Sequence, residues 1–165
     1  MSTKKTAFLG ICISFSIILS YVESMIGPII SIPGVKMGLA NIVIMVLFYK
    51  LGAREAVAVS LIRIFLVTVL FGSIVGMLYS LVGAFFSITG MYVAKKKKLL
   101  SPIGVSVIGG VLHNIGQTLT ACFLMETSQI AFYLPFLIIS GTLSGVLIGY
   151  CAFFVADKLK KIQFQ

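Results

Sequence analysis

Acidic residues are nearly missing from this chain. Only four of its 165 residues are aspartate or glutamate, and Asp157 is the sole aspartate. Magnesium-assisted diphosphate chemistry needs several carboxylates around hard cations, so that class is excluded. With one histidine, His113, and that one aspartate, neither an HExxH zinc site nor a Ser/His/Asp triad can be assembled. No G-x-x-x-x-G-K-S/T run occurs, which excludes ATP binding through a P-loop. Cys12, Cys122 and Cys151 stand apart inside apolar runs with no CxxC, and read as small buried hydrophobes rather than disulfides or metal ligands. The residues point away from an enzyme, and no catalytic residue, metal or cofactor is expected.

Charge of either sign is scarce, at 10% of residues, where a soluble domain carries about 25%. Hydrophobic residues make up 59% and the mean hydropathy is +1.16, the composition of an integral membrane protein. The net charge of +9 follows a pattern. Lys4 and Lys5 come first, Lys50 and Arg54 flank one gap, Lys95, Lys96, Lys97 and Lys98 fill another, and Lys158, Lys160 and Lys161 close the chain. If every cluster faces the cytoplasm, the chain crosses an even number of times between clusters. That reading gives six crossings with both termini cytoplasmic. Eleven of thirteen basic residues then lie inside, with Lys36 outside and Arg63 within a span. The same bias accounts for the basic charge without a nucleic-acid partner.

The expected fold is therefore an all-α integral membrane protein of the cell membrane, a six-helix bundle forming one domain over 1–165. Its spans run about 6–24, 37–50, 54–72, 73–94, 101–124 and 128–157. The first is read as an uncleaved helix, since no small-x-small cleavage site follows it. Pro135 either kinks the last span or marks its true start. The second span, about 14 residues, rises only about 21 Å against a hydrocarbon core of about 30 Å. The loop before it, 25–36, is apolar and holds Pro28 and Pro33. Such a loop would rather dip into the bundle as an outer cap, and irregular backbone at that depth lines a cavity or packs on protein.

Small residues mark close approaches. Gly141, Gly145 and Gly149 form GxxxGxxxG in the last span, and Gly76, Gly83 and Gly90 recur every seventh residue in the fourth. Thr6, Gly10 and Ser14 repeat at every fourth position of the first. Each seam serves packing within the bundle or docking of a separate membrane subunit, and the first-span stripe is the best docking candidate.

The costly residues at depth define a candidate site. Arg63 lies near the middle of the third span, where an unpaired charge costs several kcal/mol. His113, Asn114 and Gln117 cluster on the fifth span at helical spacing, and Asn41 lies in the outer half of the second. Glu23 and Lys36 bracket the outer loop. One reading is an interhelical network, with Arg63 bonded to carbonyls or to Asn114. The other is an outward-facing ligand cavity in which Arg63 and His113 recognise an anionic or ring-bearing group, Asn41, Asn114 and Gln117 orient it, and Tyr79 stacks on it. Glu55 and Asp157 read as surface charges, and Glu126 as an outer loop residue at the rim.

Pro33-Gly-Val-Lys-Met-Gly-Leu-Ala-Asn-Ile42, Arg63, Ser101-Pro-Ile-Gly-Val-Ser106 and His113-Asn-Ile-Gly-Gln117 resemble the Gx transporter family, also labelled heptaprenyl diphosphate synthase component I. The chain is also similar in length and hydropathy to substrate-binding S components of energy-coupling factor (ECF) transporters. The resemblance implies a membrane subunit that captures a vitamin-, flavin- or isoprenoid/quinone-related molecule from outside. Its implied partners are the bilayer, the small-molecule ligand, a transmembrane coupling subunit and two cytoplasmic ATPases. Thr6, Gly10 and Ser14 occupy the docking position of such proteins, and segment 24–36 that of their cap. The synthase label implies the alternative of a non-catalytic membrane subunit in isoprenoid synthesis or a membrane redox complex. Prenyl diphosphate synthases resemble one another through aspartate-rich motifs, and this chain has none.

Overall fold

A computed structural model describes residues 3–26, 38–98 and 100–159. Among them are six α-helices: α1 Thr3–Ile26, α2 Ala40–Lys50, α3 Ala53–Phe71, α4 Ile74–Lys96, α5 Pro102–Leu124 and α6 Leu134–Lys158. Most of the expected outer cap, including Lys36, lies outside the described residues, as do Lys160 and Lys161. No strand occurs among the described residues. Four segments (α1, α4, α5, and α6 with the turn before it) are long and apolar enough to cross a membrane. Large apolar side chains such as Phe65, Phe85, Phe123, Phe136 and Leu143 point outward. Water would not tolerate that surface and lipid does, so this is a membrane protein.

Two helices depart from a simple span. The helix α2 has 11 residues, about 16 Å, and is buried on every side from Val43 to Phe48. It is surrounded by protein instead of crossing lipid alone. In α3, 19 residues carry Arg54, Glu55 and Arg63, which dilutes its apolar character. The last segment is corrected in detail: a 3₁₀ turn, Gln129–Tyr133, precedes α6, and Pro135 stands in the first turn of the helix proper, where its missing N–H costs nothing. It marks a start and not a kink.

Local chemistry sets the other boundaries. Ser73 and Ser101 cap α4 and α5, their hydroxyls accepting from the Gly76 and Gly104 amides at 3.0 and 3.3 Å. Gly52 joins α2 to α3 at φ +119°, a conformation closed to side chains with a Cβ. Lysine ammoniums hold carbonyls at helix ends: Lys95 Nζ donates to Phe48 O at 2.9 Å and Lys50 Nζ to Leu159 O at 2.6 Å. The lysines thus tie together the end of the bundle on which they cluster.

That lysine end holds the solid core, built from Val43, Leu47, Phe48, Ala56, Val59, Met91, Ala94, Val105, Ile148 and Ala152. The most extensive packing joins α5 to α4 and α6, while α1 rests on α2 and α3. Glycines make the α5 contacts close. A Cβ on Gly110 would stand 2.4 Å from the Gly141 carbonyl oxygen, and one on Gly145 would stand 2.7 Å from Val107 Cα. Gly149 meets Ile103 and Ser106 in the same way. On the other side Gly83 lies against the His113 ring and Gly90 against Leu112. Five of the six span glycines therefore pack within the bundle. Gly76 instead sits over its own cap, Ser73.

Candidate functional site

Away from the lysine end the helices part around a cavity of about 330 Å³. All six contribute to its wall. The second half of α1 supplies Ser20, Glu23 and Ser24; Gly38 comes from just before α2 and Asn41 from its first turn. Arg63, Val67, Thr68 and Phe71 line it from α3, Gly76 and Ser80 from α4, His113, Asn114 and Gln117 from α5, and Ser144 and Ile148 from α6. On α5 the sequence Gly110, His113, Asn114, Gln117 repeats at three- and four-residue steps, which keeps all four on one face. Five of the residues expected from sequence, and Glu23 with them, thus share one cavity.

Their hydrogen bonding separates two roles. Asn114 is buried, and its Nδ2 donates to Leu137 O on α6 at 2.6 Å, so its amide ties α5 to α6. Arg63, Asn41 and Gln117 make no side-chain hydrogen bond to any described residue. The Arg63 Nε is fully buried and unpartnered. Neither Asn114 nor a carbonyl takes up Arg63, so the interhelical network considered from sequence is not formed by these groups. Glu23 lies near enough to act electrostatically on Arg63, yet the two form no ion pair within 4.0 Å. The Glu23 carboxylate instead accepts from the Gly38 amide at 2.5 Å, joining α1 to the start of α2. A guanidinium and two amides facing one void is an unfinished hydrogen-bonding arrangement.

Hydroxyls complete the lining, and sequence reading passed over them. Ser20 Oγ donates to Ser16 O, Thr68 Oγ1 to Ile64 O and Ser80 Oγ to Gly76 O, at 2.8 to 2.9 Å. Having spent its proton on the preceding turn, each presents lone pairs to the cavity. Ser16, Ser20 and Glu23 follow one another at helical spacing on α1, a signal that would have found Ser20. Tyr79 is a correction. It does not line the cavity; its neighbours Gly76 and Ser80 do, and Phe71 is the aromatic ring in the wall.

Elsewhere, Thr6, Gly10 and Ser14 form an exposed stripe along α1, with open space around Gly10. Glu55 pairs with Lys5 at 2.6 Å. Glu126 is exposed on the turn after α5 and outside the cavity wall. No cluster of three metal-ligating side chains occurs among the described residues.

A family model, heptaprenyl diphosphate synthase component I, matches residues 12–155. No curated protein and no solved structure matches the chain.

Proposed function

The chain belongs to the heptaprenyl diphosphate synthase component I family, and from that premise we propose that it is a non-catalytic, ligand-binding membrane subunit that captures a small polar molecule from outside the cell. In this reading it sits in the cytoplasmic membrane with six crossings, the lysine end inside, and the cavity facing out. It acts as the substrate-binding component of an ECF-type transporter, docked on a transmembrane coupling subunit driven by two ATPases. One observation carries it: Arg63 stands at depth with its Nε unpartnered, beside Asn41 and Gln117, on a cavity of about 330 Å³. A charge held there costs about 2.5–3.5 kcal/mol, a cost that a bound anionic or hydrogen-bonding group offsets. The sidedness rests on the lysine clusters, and the docking face on the exposed Thr6, Gly10, Ser14 stripe.

The family's label favours a second reading, a membrane subunit beside an isoprenoid synthase. The cavity is near the lower end of the roughly 300–1,000 Å³ found for small-molecule sites.

Native mass spectrometry of the detergent-purified protein tests the capture reading. The parent is expected to retain a small molecule that an Arg63→Ala variant loses. Equal retention by both proteins would remove Arg63 from the site. Co-purification of a coupling subunit and ATPases supports the transporter assignment, and a soluble prenyltransferase in their place supports the second reading.

A further inference from the structure

Beneath the cavity lies a small, partly open chamber of about 30 Å³. Asn41, Gly110, His113 and Ile148 border both spaces. Its remaining polar wall is Ser60, Ser87 and Ser106, one residue each from α3, α4 and α5. Each stands about one or two turns nearer the lysine end than the cavity residue on its own helix: Ser60 below Arg63, Ser87 below Ser80, Ser106 below His113. The chamber is thus a deeper storey of the same polar column, and the solid core closes it from below.

These serines behave unlike the others at depth. Ser16, Ser20, Ser80 and Ser144 each donate to a carbonyl of the preceding turn. Ser60, Ser87 and Ser106 are buried as residues, Ser60 and Ser106 at 2% and 4% exposure, yet among the described residues Arg63 Nε is the one fully buried side-chain polar atom without a partner, so these hydroxyls open onto the void and stay reachable by water. A hydroxyl that opens onto a void is satisfied by water filling it, and would go without a partner, at about 1–3 kcal/mol, only if the void stayed dry. A bound water needs roughly 10–15 Å³ and two to four polar partners. The void and its hydroxyls meet both requirements.

We infer that this chamber holds one or two ordered water molecules, bound by Ser60, Ser87 and Ser106 and shared with Asn41 and His113. The water forms the floor of the outer cavity. A molecule seated beside Arg63 then rests on a hydrogen-bonding surface, and Asn41 and His113 are positioned from below. Occupancy of the chamber does not depend on the ligand reading, because the serines need their partners whether or not the cavity is filled.

Two buried methionines make the water detectable. Met45 and Met91 line the chamber at 3% and 6% exposure. Synchrotron radiolysis turns bound water into hydroxyl radical in place, which oxidises side chains beside it. In the full-length detergent-purified protein, Met45 or Met91 is expected to be oxidised rapidly despite burial, with exposed Met25 as the internal reference. In the S60A/S87A/S106A variant that oxidation should be lost while Met25 oxidation is unchanged. The single variants Ser60→Ala and Ser106→Ala, each expected to reduce it, serve if the triple variant does not fold. Absence of oxidation at both methionines in the parent means a dry chamber and overturns the inference. Oxidation that persists undiminished in the variants also overturns it, since the water would not be held by the serines.

Discussion

Asn114 and Gln117 are three residues apart on one helix face and look equivalent in the sequence, yet the structure gives them different work. Asn114 is committed to Leu137 O across the α5–α6 contact. Replacing it with leucine should lower stability by about 0.6–1.7 kcal/mol, the range for interhelical hydrogen bonds in membranes, read as a lower thermal midpoint in detergent. Asn41 and Gln117 have no such bond to lose. Asn41→Leu and Gln117→Leu should leave stability within about 0.5 kcal/mol and instead weaken retention of the ligand roughly tenfold, about one hydrogen bond's worth. Opposite responses of the two classes would separate bundle cement from recognition. The presence of costly groups at depth was legible in the sequence, because lipid penalises them wherever they stand. Which of them found protein partners was not, since Leu137 O is a backbone atom on another helix. Tyr79 failed for a related reason. Tyr79 stands next to Ser80, which lines the cavity, and a one-residue step turns a side chain by about 100°.

The helices themselves were legible because unbroken apolar runs between lysine clusters leave little choice of element. Their ends were less so. Ile130 and Phe132 continue the apolar run, which hides the 3₁₀ turn before Leu134. The glycine seams were visible on α4 and α6, but the helix they receive, α5, was not identified as their common partner, because contact between helices is non-local. Gly110 now gives the sharper test. Its added methyl would press on the Gly141 carbonyl, backbone that has no other place to go. Gly110→Ala should cost about 1–3 kcal/mol by forcing α5 from α6. Gly10 has open space around it, so Gly10→Leu should leave the thermal midpoint unchanged. Under the docking reading it should abolish capture of the coupling subunit in a pull-down, and unimpaired capture would move the docking face elsewhere.

Sidedness is the property on which the proposed capture route depends, and the basic residues alone supply it. Single cysteines in a background without Cys12, Cys122 and Cys151 test it directly. Ser128→Cys, on the turn before α6, should react with a membrane-impermeant maleimide on intact cells. Lys97→Cys, at the lysine end, should react only after permeabilisation. The reverse pattern would turn the cavity toward the cytoplasm. Packing across the molecule is uneven in a way that bears on its mechanics. The helices α4, α5 and α6 interlock through glycine, whereas α1 leans on α2 and α3 and is tethered near its ends by Lys5 to Glu55 and by Glu23 to Gly38. Drawn out of a bilayer by its N-terminus with a force probe, the chain should surrender its leading helix at low tension and then resist as one C-terminal block. Removing Lys5 should advance that first rupture while leaving the later, larger one where it was.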